Sequence, residues 1–226
     1  RRQRQMCKET VFALTGEKGV GKDHLSDILV ARYQARKHAF ADSLKKITHE
    51  LFPWLPEYIQ PSAKDVPWQS QHNTFNLTPR EIWIAVSDGL KAIHPQIFFD
   101  HFIRNQYKEA LDTPDTLHII TDLRIEPEWK FLQQERIPVV KIVIPNPPPQ
   151  PHSFEVWTRS FSEQDETFKN DRNNKESSQV WLDFFEKFSL NHKFYHTANK
   201  AKSLMTTAIS TVVFRISIAS TTVIPA

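Results

Sequence analysis

Only four glycines occur in the 226 residues, and three of them, Gly16, Gly19 and Gly21, fall within six positions of one another. Glycine reaches left-handed and mirror-extended backbone without steric cost, so such crowding in a glycine-poor chain marks one place with a special backbone requirement. Residues 10–15, TVFALT, form a short apolar run of β-forming types before it, and Leu25, Ile28, Leu29 and Tyr33 follow it at helical spacing. The glycines are therefore expected between a strand and a helix, the opening of an α/β unit.

Inside that turn the order Gly16-Glu17-Lys18-Gly19-Val20-Gly21-Lys22-Asp23 fits the pattern G-x-x-x-x-G-K. In a strand-to-helix turn this pattern wraps phosphate: backbone N–H groups point inward, the helix offers its positive end, and the lysine reaches the β- and γ-phosphates. A glycine-rich turn beside an exposed lysine is the alternative, and the scarcity of glycine elsewhere argues against it. The Ser or Thr that usually follows the lysine is replaced by Asp23, so the hydroxyl that helps hold magnesium is missing at that position. Asp23 can orient an acceptor, hold magnesium through water, or cap the helix start.

The rest of the chain narrows the function class. With 39% hydrophobic residues, the length supports one compact domain with insertions. Twenty-nine basic against 26 acidic residues leave a net charge of only +3, too little for a general nucleic-acid binder, and no stable nucleic-acid complex is expected. Ten histidines show no metal-ligand spacing, and the single cysteine, Cys7, excludes both a thiolate zinc cluster and an internal disulfide. A reducing cytoplasm is the expected setting. Residues 1–9 read as a basic, flexible end. Residues 203–226 are apolar and β-branched but interrupted by Arg215 and many hydroxyls, which argues for a final strand or an irregular tail and against a membrane span.

Strand and helix signals alternate between these ends. A short strand is expected at 38–41, then a helix in which Leu44, Ile47 and Leu51 share a face. Residues 53–77 carry four prolines and read as an insertion. Thr78-Pro79-Arg80-Glu81 has the form of a capping box with proline at the first helical position, ahead of an apolar stripe of Ile82, Val86, Leu90 and Ile93. A strand at 117–121 ending at Asp122, a helix at 126–134, a strand at 139–144, a polar lid or loop region at 145–178 and a helix around 180–188 complete the pattern. The expected fold is a three-layer α/β domain over residues 10–202 with a mostly parallel central sheet and helical insertions.

Asp122-Leu123-Arg124 closes a buried strand, which places a carboxylate and a guanidinium at the sheet end where phosphates gather. The pair can organise magnesium and developing charge, or form a structural ion pair. Arg80 sits in the first turn of its helix, where a positive charge is slightly unfavourable and hints at an anionic partner, the alternative being a plain surface arginine.

With these residues in place, the chain resembles the phage-type deoxynucleoside monophosphate kinases, part of the adenylate-kinase-like P-loop group. The resemblance rests on Gly21-Lys22-Asp23, on Phe40-Ala41-Asp42-Ser43-Leu44-Lys45, on Thr78-Pro79-Arg80 and on Ile120-Thr121-Asp122-Leu123-Arg124 with Glu126, and it covers residues 10–145. His24 stands where that family has threonine, Ser87-Asp88-Gly89 stands in for a GTE-like stretch, and beyond Pro145 only Ser162-Glu163 suggests a lid element.

The resemblance implies a P-loop nucleotide kinase fold and transfer of a phosphoryl group from ATP, with Mg2+, to a deoxynucleoside monophosphate. Gly16, Gly19, Val20, Gly21, Lys22, Asp23 and His24 would bind ATP. Lys22, Asp122 and Arg124 would be catalytic, and Asp122 and Asp23 would hold the metal. Arg80 would hold the acceptor phosphate, helped by Lys18, Lys45 and Asp23. Small-molecule nucleotides are the expected partners, with a homodimer as the expected form of any assembly. The alternatives are a kinase for another phosphorylated metabolite, of the phosphomevalonate or dephospho-coenzyme A type, and a non-catalytic nucleotide-binding module.

Overall fold

The computed structural model describes residues 10–145, 153–171 and 176–192. The expectations for the basic end 1–9, for residues 193–202 and for the tail 203–226 lie outside these residues, as do 146–152 and 172–175 of the supposed lid. The described residues form two compact units: those up to Lys37 together with those from Ala110 onward, and His38–Glu109.

The first unit is built on the sheet. Its strands are β1 (Val11–Thr15), β2 (Arg36–His38, whose last residue opens the second unit), β3 (His118–Leu123), β4 (Val139–Val143) and β5 (Glu166–Lys169), in the spatial order β2-β3-β1-β4-β5 and all parallel. β1 is central, pairing with β3 through Val11↔His118 and with β4 through Ala13↔Val139. All five residues of β1 are buried, as expected of a parallel strand covered on both faces, and this explains why TVFALT reads as a continuous apolar run. The chain leaves β1 for β2 and β3 on one side and later returns to β4 and β5 on the other. The end of β1 is therefore the point where strand order reverses, the position at which open α/β sheets receive ligands.

Helix α1 (Lys22–Tyr33) follows β1 directly. Its buried Leu25, Leu29 and Tyr33 meet the aromatic face of the last described helix, Ser177–Asn191, where Trp181, Phe185 and Phe188 are buried with Phe12, Leu14 and Phe168. The Trp181 indole N–H, which would be costly to bury unpaired, donates to the Leu25 carbonyl at 2.9 Å.

The second unit holds α2 (Asp42–Leu51), α3 (Pro79–Ile93) and α4 (Ile97–Phe102), and a π-helical turn at Ile103–Tyr107 leads from α4 into α5 (Lys108–Asp112). The capping box forms: Thr78 Oγ1 accepts from the Glu81 amide, and Glu81 Oε2 accepts from the Thr78 amide at 2.8 Å. Residues 53–77 contain only a short 3-10 turn at Pro61–Ala63, and their Leu55 and Ile59 pack with Ile82 into a small core edged by Trp54 and Trp68. Ile93 is 83% exposed, so the buried stripe expected along α3 does not extend to the helix end.

Three further expectations are corrected. The strand expected at 38–41 lies at Arg36–His38 instead, because the Asp42 carboxylate accepts from the Ala39 amide at 2.8 Å and turns the chain before the helix. β3 starts at His118, one residue later than expected, and runs one residue past Asp122, to Leu123. The polar region 145–178 contains β5, an edge strand whose Phe168 alone among its four residues is buried, so its sequence looks hydrophilic. The helix following β3 is α6 (Glu126–Glu135), α7 spans Ser153–Ser160, and Ser177–Asn191 is α8.

Candidate functional site

The turn between β1 and α1 has the backbone its glycines suggest. Gly16, Gly19 and Gly21 have φ values of 139°, 81° and 99°, which side-chain-bearing residues rarely adopt. Close approach adds to the requirement. A Cβ on Gly16 would lie 2.4 Å from the Ile142 carbonyl oxygen, and one on Gly21 would lie 2.5 Å from the Asn170 side-chain nitrogen.

Lys22 is the first residue of α1, and its ammonium folds back over the turn, donating to the Gly16 carbonyl and, at 2.9 Å, to the Glu17 carbonyl. The positive charge is thus held against the loop that it belongs to. Gly21 is the N-cap, and no side chain caps the helix. Asp23 therefore does not cap; it lies exposed in the first helical turn, where its charge suits the positive helix end. Lys18 and His24 are exposed, whereas Val20 is buried and offers its carbonyl to a neighbour.

That neighbour is Asn170, just past β5. Its backbone amide donates to the Val143 carbonyl at 2.8 Å, and its side-chain amide donates to the Val20 carbonyl at 2.8 Å. A second distant residue holds the front of the loop: the Arg159 guanidinium of α7 grips both oxygens of the Glu17 carboxylate at 2.8 Å each. The arginine's hydrogen bond and charge hold the Glu17 carboxyl below its ordinary range, against the opposing effect of burial. Lys141 of β4 donates to the Arg159 carbonyl at 3.1 Å and to the Phe161 carbonyl, and burial holds its ammonium below the usual lysine range.

At the end of β3 the half-buried Asp122 and Arg124 flank buried Leu123. The β3 end is tied to β1 by Thr15 Oγ1, which donates to the Leu123 carbonyl at 2.9 Å. Buried Glu128 accepts from the amides of Arg124 at 2.9 Å and Ile125 at 3.3 Å, and so fixes the turn into α6. Burial first, and the Asp122 charge second, push the Glu128 carboxyl up to about 8.

The remaining acceptor candidates belong to the second unit. There the Arg80 guanidinium pairs with both oxygens of Asp65, and Lys45 lies 3.6 Å from Asp42. Among the described residues no group of three or more His, Cys, Asp or Glu side chains forms a ready-made metal site. Asp23 and Asp122, the carboxylates expected to hold a metal, lie exposed in the first turn of α1 and half-buried near the end of β3. No helix among the described residues is long and apolar enough to cross a membrane.

The structure thus brings the loop together with residues that sequence reasoning missed: Glu17 as a side chain, Lys141, Arg159 and Asn170. Asn170 carried one readable signal, a polar residue at the end of a strand, but the strand itself was hidden in the polar region. Arg159 carried none.

No family model matches the chain. It is 29% identical over 178 residues to a protein of Acanthamoeba polyphaga mimivirus described as "Putative deoxynucleotide monophosphate kinase", a match that covers 72% of this chain and 89% of that protein.

Proposed function

We propose that this protein is a nucleotide kinase that transfers the γ-phosphoryl group of ATP to a deoxynucleoside monophosphate, giving ADP and the corresponding diphosphate. The observation that carries the reading is the Lys22 ammonium hydrogen-bonded to the Gly16 and Glu17 carbonyls within a positive-φ glycine loop at the reversal point of a parallel sheet. The similarity to the mimiviral protein supports both the reaction class and the acceptor class.

Phosphoryl transfer asks for alignment and charge neutralisation more than for a strong base. In this reading Lys22 exchanges its carbonyl partners for the β- and γ-phosphate oxygens, and the backbone of Gly16, Gly19, Val20, Gly21, Asp23 and His24 wraps the polyphosphate. Arg124 offsets charge that develops on the transferred group. Asp122, with Asp23 acting through water, would hold Mg2+, which would supply positive charge to offset that of the phosphates. Arg80, released from Asp65, takes the acceptor phosphate, and Lys18 and Lys45 add positive charge. The substrates are free nucleotides of the cytoplasm, without a membrane or nucleic-acid partner.

Purified protein with Mg2+ and ATP, offered each deoxynucleoside monophosphate in turn together with phosphomevalonate and dephospho-coenzyme A, should form a deoxynucleoside diphosphate. Lys22→Ala should remove turnover and retain the wild-type circular dichroism spectrum. Transfer only to a non-nucleotide acceptor, or full turnover in the Lys22 variant, would overturn the reading.

A further inference from the structure

Glu17 is an unusual residue for a loop that takes up phosphate. It is the first side chain after Gly16, it is only 8% exposed, and its carboxyl is held ionised. An uncompensated carboxylate at that position would repel a polyphosphate through a medium that screens it poorly. The chain answers it from 142 residues away, with both Arg159 nitrogens at 2.8 Å from the two carboxylate oxygens. This is the bidentate geometry in which a guanidinium matches a carboxylate best.

The arginine is itself fixed. Lys141, which holds the Arg159 carbonyl, lies opposite Thr15 in the β1–β4 register, one residue before Gly16. Both members of the pair are thus referred to neighbouring strands of one sheet.

We infer that Arg159 is a positioning residue for nucleotide binding that acts through Glu17: it cancels the carboxylate inside the loop and leaves Lys22 and the backbone amides as the field that an incoming polyphosphate meets. The inference rests on the proposed reading of the loop as an ATP site. It assigns α7 a task that needs no direct contact between Arg159 and the nucleotide.

Calorimetric titration of the full chain with ATP, ADP and adenosine separates the possibilities. Arg159→Met should weaken ATP about tenfold or more, ADP less, and adenosine not at all, because the exposed carboxylate acts on ligand charge. Arg159→Lys should keep part of the affinity. Adding Glu17→Gln to Arg159→Met should restore ATP affinity, since the charge to be cancelled has gone. The inference is overturned if Arg159→Met binds ATP like the wild type, if the double variant stays as weak as Arg159→Met, or if adenosine weakens in step with ATP. Persistent weakness of the double variant with a charge-graded loss would mean that Arg159 touches the phosphates itself. A wild-type protein that binds ATP but phosphorylates no acceptor would sink the kinase reading and leave this inference standing, whereas failure to bind either ATP or ADP would overturn both.

Discussion

The Asn170 side-chain amide donates to the Val20 carbonyl across 2.8 Å, tying the end of β5 to the middle of the glycine loop. Because the Asn170 backbone also bonds to Val143, the loop is registered to the sheet from outside and not only by its own glycines. The contact is buried, so its loss leaves a carbonyl without a partner, at a cost of about 1–3 kcal/mol.

Asn170→Ala should therefore lower the unfolding free energy by about that amount and weaken ATP binding. Asn170→Asp should be worse for ATP than Asn170→Ala, since an ionised carboxylate can only accept, would face the Val20 carbonyl and would add negative charge beside the loop. Urea unfolding and nucleotide titration on the two variants measure the order, and a reversed order would refute the role given to this amide.

Three of the four glycines should respond differently to alanine. Gly21→Ala combines φ of 99° with a 2.5 Å approach to Asn170, and strain of about 1–3 kcal/mol is expected together with loss of ATP binding. Gly16→Ala should be more damaging, because the atom it meets at 2.4 Å is a backbone oxygen of Ile142 that cannot swing aside. Gly89 lies exposed within α3 with nothing within 4 Å of its added Cβ. Gly89→Ala should stabilise the protein by about 0.5–1 kcal/mol through helix propensity. Thermal melts of the three variants provide the comparison.

Glu128 makes stability depend on pH. In the unfolded chain it titrates near the model-peptide value of 4.5, and in the folded protein near 8. Between these values the folded state keeps a proton that the unfolded state has released, so the contribution of this group to stability falls as pH rises through that window. Glu128→Gln can still accept from the Arg124 and Ile125 amides without carrying a titratable proton. Its stability relative to wild type should rise from about pH 5 to about pH 8, read by denaturant unfolding at both values. A constant difference would show that Glu128 ionises normally.

Thr78→Ala breaks one half of the capping box at the start of α3, and a loss of about 1 kcal/mol is expected, read as a lower urea midpoint. Glu81→Gln, which retains an acceptor for the Thr78 amide, should cost less.

The legible parts of this protein were those written in local sequence. Val11–Thr15 read as a buried strand because both faces of a parallel sheet are covered, and the glycine spacing then located the turn. Thr78, Pro79 and Glu81 announced a helix start because capping is settled within four residues. β5 was missed because an edge strand buries little; with only Phe168 inward, Glu166–Lys169 looks like a solvated loop. Arg159 and Asn170 were invisible as loop partners because nothing local encodes a contact across 142 or 150 residues. Asp65 was missed beside Arg80 for a similar reason, since the Pro-broken stretch that carries it has no periodicity to show which way it turns.

The clasp on the glycine loop also sets an order of events during synthesis. All of the recognisable motif has emerged by residue 22, yet the residues that hold it arrive at 159 and 170. A chain growing from its N-terminus carries the signature long before it carries the grip. Ligand can stabilise only a state that binds it, so a nucleotide held by this loop, as proposed above, would assist folding only in the last stage, once β5 has joined the sheet. A nascent or truncated chain ending after β4 would display the motif in full and gain little from the nucleotide that the motif advertises.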